Sequence, residues 1–156
     1  MARPRPVTAG RPRPVNTAVL LRDAFAAING VVPQRLAEHG HGAVRTAHGA
    51  VFQYLDDDGT TVSTLAERAE MTKQAMAELV QYLEEHGYVR RVPNPQDGRA
   101  KLVLPTAKGR EVVAIAQSLV PELEKRLIKA LGRARWQQLR DDLGTIQELF
   151  EPSHST

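Results

Sequence analysis

The chain has 156 residues, a formal net charge of +3, 4% aromatic side chains and no cysteine. That length fits one domain able to bury a core without staples. The missing cysteine excludes disulfides, cysteine-ligated zinc and thiol-based oxidant sensing, and with no apolar run of transmembrane length and no signal-peptide core the sequence reads as cytoplasmic.

The first sixteen residues stand apart. RPRPVTAG at 3–10 is followed by RPRPVNTA at 11–18, a near-repeat carrying Arg3, Arg5, Arg11 and Arg13 and no acid. Taking these four from the chain's 21 basic side chains leaves 17 against 18 acids, a balance of −1, so the basic character belongs to the arm. Alternating proline favours an extended segment. Two readings stay open, a tethered strip of charge that lies along phosphate or in a minor groove, and a solubilising tail.

From Thr17 to about His39 the apolar spacing predicts an amphipathic helix interrupted at Asn29-Gly30 or Pro33. A second helix is predicted over Ala43 to Leu55. Asp56 to Asp58 and Gly59 end it as a solvated turn, since the alternation and distant bidentate Glu of a calcium loop are missing. A short strand at Thr60 to Val62 follows.

Ser63 or Thr64 reads as the N-cap of a short helix, with Thr64 and Glu67 at capping-box spacing. After Glu70 and Met71, Thr72 opens a longer helix whose Met76, Leu79, Val80 and Leu83 share one face. The other face presents Gln74, Ala77, Glu78 and Gln81, with Lys73 at its edge, and Gly87 stops the helix. Tyr88 to Val92 and Arg99 to Leu104 have strand character and can pair across PNPQDG. That hairpin carries Arg90, Arg91, Arg99 and Lys101 against the single acid Asp97. Helix, turn, helix and basic hairpin in this order spell a winged helix-turn-helix, which puts one helix in the DNA major groove and the hairpin along the backbone or in a neighbouring minor groove.

Thr106 caps a helix predicted from Ala107 to about Leu131, with Pro121 expected to kink or restart it, and Arg133 to Phe150 forms another. Their apolar positions, from Val112 and Ile115 to Ile146 and Leu149, exceed what a small head can cover and invite a second protomer.

LAERAEMTKQAMAELVQYLEEHGYVRR and DGRAKLVLPTAKGR resemble the helix pair and wing signature of the MarR family of bacterial transcription regulators, with Pro105 where that family commonly has leucine. The resemblance spans roughly residues 17–150 and is motif-specific over 60–110. It implies a mainly α winged-helix homodimer with a small β-hairpin wing. Residues 1–16 would be an arm, 17–40 an N-terminal dimerisation helix, 41–106 the DNA-binding head, 107–150 C-terminal dimerisation helices and 151–156 a tail. It also implies a pseudo-palindromic duplex operator, repression and a small-molecule effector. Carried over, the wing arginine is Arg99, which would enter a minor groove, and the wing aspartate is Asp97, expected to pair with an arginine.

On this basis Thr72 and the adjoining backbone N–H groups are expected to hold phosphate. Lys73, Gln74, Ala77 and Gln81 would face the groove, and Arg90, Arg91, Arg99 and Lys101 would form an electropositive wing. An effector pocket is expected at His41, Arg45, His48 and Phe52, which recur at helical spacing along the second helix and suit a small aromatic anion. The histidines follow no regular metal-ligand spacing, so neither metal nor cofactor is expected. No phosphate loop, nucleophile elbow or paired-carboxylate motif points to an enzyme. The alternative is a winged helix used as a protein-interaction module, which the modest recognition face followed by Glu84 and Glu85 keeps open and against which the wing arginines argue.

Overall fold

The computed structural model describes residues 15–151, and the arginine-proline repeat at 3–14 and the last five residues lie outside them. Asn16 caps α1 (Thr17–Asn29) by accepting from Val19 N. Gly30 interrupts the chain for one residue before α2 (Val31–Glu38), so the expected break falls at glycine, while Pro33 sits in the first helical turn where a missing N–H costs little.

The predicted helix over 43–55 is shorter and broken. Residues 39–45 are turns and coil, Thr46–His48 form one 3-10 turn, and only α3 (Gly49–Tyr54) is α-helical. His41, Val44 and His48 are buried by contacts from outside the segment, and this tertiary burial replaces helical periodicity.

β1 (Thr60–Thr61) precedes α4 (Val62–Arg68). The N-cap is Thr61, accepting from Thr64 N at 3.2 Å, and not Ser63 or Thr64. Thr64 is thereby drawn into the first turn, where its hydroxyl accepts from that of Thr61. α5 (Lys73–Glu85) begins at Thr72, which accepts from Ala75 N, and buries Met76, Val80 and Leu83. Gly87 leaves the helix at φ 78°, in the left-handed region that glycine tolerates.

β2 (Val89–Pro93) and β3 (Lys101–Pro105) form the hairpin, each displaced by one or two residues from the predicted strands. They pair from Val89 opposite Pro105 to Pro93 opposite Lys101, and β1 adds to the far side of β3 through Thr60 opposite Val103. α6 (Ala107–Leu131), capped by Thr106, continues through Pro121 without restarting, and α7 (Arg133–Phe150) follows after Gly132. Leu36, Val51, Leu65, Met76, Val80, Leu83, Tyr88, Val103 and Val112 make one core that joins α2, the head and the start of α6.

α1 and α7 bury no residue. Phe25 is 67% exposed, Leu149 72% and Phe150 77%, and Leu20, Val120 and Leu143 are also exposed. Lone exposed apolar side chains are ordinary, whereas faces recurring along three helices mark a surface built to be covered.

Candidate nucleic-acid interface and adjoining cavity

The sequence of α5 places its apolar stripe in the core and leaves Thr72, Lys73, Gln74, Glu78 and Gln81 exposed, with Ala77 half-buried. The Thr72 hydroxyl is already used as the cap acceptor, though its own proton can still be donated. Gln81 gives its amide N–H to Glu85 at 3.0 Å, so Gln74 is the less encumbered carboxamide.

In the hairpin, Arg90, Arg99 and Lys101 are exposed and take part in no ion pair among the described residues. Arg91 departs from expectation, since its Nε lies 3.2 Å from Glu84 Oε2, with both side chains partly shielded. Its charge is partly balanced within the chain. Asp97 also departs. It accepts the backbone N–H of Arg99 at 3.0 Å and pairs with no guanidinium among the described residues, so it shapes the tip through the main chain.

Thr106 caps α6 as expected, and contacts that the sequence did not reveal make it and Lys108 a bolt between the head and α6. The Thr106 hydroxyl lies 2.7 Å from Gly87 O and 3.0 Å from Tyr88 O, and accepts from Gly109 N at 3.1 Å. Lys108 Nζ reaches His86 O at 2.9 Å and stands 4.2 Å from the centre of the Tyr88 ring. A glycine two residues inside a helix was the available signal, because helices otherwise disfavour it.

Beside α5 opens a cavity of about 930 Å³ between the head, α1, α2 and α6. Its walls are mainly apolar, including Phe25, Leu36, Phe52, Leu79 and Val112, and among the described residues Arg45 is the single cation that lines it. Ala75 and Glu78 also line it, so one flank of α5 faces the cavity. Of the four expected pocket residues, Arg45 and Phe52 are there and the two histidines are not.

His41 is buried with Nδ1 3.3 Å from the Tyr88 hydroxyl and Nε2 3.6 Å from Glu111. Burial first, then Tyr82 and Glu111, pushes the Tyr88 phenol pKa up, so it keeps its proton. His48 stacks on Tyr82, which stacks on His86, and His48 Nδ1 accepts from Arg45 N at 2.9 Å. Burial, then Arg45 and His86, holds the His48 pKa below its ordinary value. The unfolded chain therefore takes up this proton first. Stability from His48 is fully present above about pH 6.5 and is lost as pH falls through the lower folded value. The melting temperature should drop on acidification from pH 7.5 to about 5, and His48→Phe, which keeps a stackable ring, should lessen the drop. An unaltered pH profile in that variant would remove His48 from the account.

A model of the MarR family matches residues 45–100. Transcriptional regulator HosA of Escherichia coli O111:H- is 32% identical over 134 residues, covering 84% of this chain and 91% of that protein. The chain belongs to the MarR family of transcription regulators. Solved family structures share the fold. The Staphylococcus aureus MepR-DNA complex superposes with a TM-score of 0.71 at 21% identity, over 88% of this chain and 100% of that one. Rhodococcus jostii RHA1 CouR bound to p-coumaroyl-CoA gives 0.68 at 24%, over 90% and 96%. The matched stretch holds the helix pair, β2 and the hairpin tip and stops before β3, and the structural likeness extends over the flanking helices.

Proposed function

We propose that this MarR-family regulator is a cytoplasmic, non-enzymatic repressor that binds a pseudo-palindromic duplex operator as a homodimer. The observation that carries the reading is the pairing of an exposed α5 face, Lys73 and Gln74 foremost, with the protruding cations Arg90, Arg99 and Lys101. The helix can enter a major groove while the hairpin reaches the adjoining groove or backbone. The unpartnered apolar faces of α1, the distal part of α6 and α7 support a second copy as the element that spaces two heads about one DNA turn apart. No described helix is long and apolar enough to cross a membrane.

The test is selection of a preferred duplex, followed by affinity across a salt series with the mass of the protein measured by sedimentation. A dimer whose affinity falls steeply with salt is expected, because phosphate contacts release counterions. Salt-insensitive binding would put the protein-interaction module ahead of the DNA reading, and a monomer would overturn the homodimer.

The cavity supports an effector with an apolar body and one anionic group, the latter set by Arg45. Phenolic acids such as salicylate or p-coumarate are the probes to use. MepR was solved with DNA and CouR with an aromatic thioester, so both kinds of partner occur among proteins of this fold. Because α5 lines the cavity, a ligand there can favour a head position that an operator does not accept. Affinity should be lower for the operator complex than for the protein alone. Equal affinity for both, or no binding, would remove the effector and leave DNA binding in place.

A further inference from the structure

β2 is an edge strand, because the sheet order is β1-β3-β2. An edge strand presents N–H groups that no ladder partner accepts. At Arg91 that donor is taken by α5, with Arg91 N 3.1 Å from Glu84 Oε1 and Arg91 Nε 3.2 Å from Glu84 Oε2. One carboxylate thus accepts the backbone N–H and stands within ion-pair distance of the guanidinium of a residue across the Gly87 turn, although the buried Arg91 Nε makes no hydrogen bond among the described residues. Strand alternation puts Arg91 on the same side as buried Val89 and sends Arg90 to the other side. The Arg91 side chain is 27% exposed and that of Glu84 39%, so both charges are partly desolvated and matched to each other.

We infer that Glu84 and Arg91 are a positioning pair that fixes the wing against α5, and that Arg91 does not touch DNA. This rests on the DNA-binding reading above. The ladder runs from Val89 opposite Pro105 to Pro93 opposite Lys101, and Arg91 lies at its middle opposite Val103, so this pair sets how the hairpin leaves α5, and Arg99 in the tip beyond moves through the largest arc when the contact loosens. Anchoring and contacting arginines can be told apart. An arginine on phosphate adds to counterion release, whereas the loss of an anchoring one leaves the tip able to seat in the complex but costlier to order, which changes affinity and leaves the salt slope alone. The effect of Glu84 has opposite signs in the two cases. If Arg91 served DNA, removing Glu84 would release its charge and tighten binding; if the pair is an anchor, removal weakens binding although the chain has lost a negative charge.

The experiment compares wild type, Arg91→Ala, Glu84→Ala and Glu84→Gln on the selected duplex across a salt series, with amide exchange of Arg91 followed in the DNA-free proteins. Arg91→Ala and Glu84→Ala should each weaken binding about tenfold at an unchanged salt slope. Glu84→Gln, which keeps an acceptor for Arg91 N, should lose less. The Arg91 amide should exchange faster in Glu84→Ala. A slope shallower by about one in Arg91→Ala, tighter binding by either Glu84 variant, or an Arg91 amide indifferent to Glu84→Ala would overturn the inference. If the wild type shows no salt-dependent duplex binding, the DNA reading fails first, and the exchange measurement still judges the pair on its own.

Discussion

Gly109→Ala is expected to lower the melting temperature by about 10 °C, against the usual direction of that substitution in a helix. Alanine ordinarily stabilises a helix interior over glycine by about 1 kcal/mol. Here a Cβ would fall inside the van der Waals envelope of the Tyr88 carbonyl oxygen and reach 3.6 Å from Pro105 Cβ. The obstructing atom is backbone, and the same carbonyl lies within hydrogen-bond distance of Thr106 N at 3.1 Å and of the Thr106 hydroxyl at 3.0 Å. It cannot retreat without breaking the bolt between the head and α6. Overpacking of this kind costs about 3 kcal/mol, and for a chain of this size each kcal/mol moves the midpoint by about 3 °C. Thermal unfolding followed by circular dichroism checks it. A variant as stable as wild type would mean that α6 can shift along the head.

Where local chemistry decides, the sequence reads correctly. α5, α6 and α7 begin and end within a residue of expectation because Thr72, Gly87, Thr106 and Gly132 act on their immediate neighbours. The stretch 39–55 reads poorly, since what holds it is distant. His41 meets Tyr88, and His48 meets Tyr82, across a sequence separation no periodicity encodes. Spacing alone put both rings in a pocket; packing turned them into the core of the head.

The hairpin divides the same way. A strand's period of two already sends Arg90 and Arg91 to opposite faces, so the sequence itself says that they meet different surroundings. What could not be read was the partner, because the carboxylate that meets Arg91 sits on a helix whose rotation is fixed only once Val80 and Leu83 enter the core. Glu84 and Glu85 looked like a feature hostile to DNA. In the fold, one holds the wing and the other accepts from Gln81.

Arg99→Ala should weaken operator binding by about 1 to 3 kcal/mol while leaving the fold intact. The tip is shaped by main-chain and Asx contacts. Asp97 accepts Arg99 N at 3.0 Å through its side chain and Ala100 N at 3.1 Å through its carbonyl, and Asn94 N closes the loop on Ala100 O at 3.1 Å. None of these uses the Arg99 side chain, which is exposed, so its truncation costs little stability. A guanidinium at that tip can enter a narrow A·T-rich minor groove, where the negative potential is enhanced. Losing it should also make the slope of log affinity against log salt shallower by about 0.9 for a single phosphate contact. Loss of discrimination against G·C flanks at an unchanged slope would instead identify groove shape as what Arg99 reads. Unaltered affinity in a folded Arg99→Ala protein would take the wing out of DNA recognition altogether and leave α5 as the sole reader.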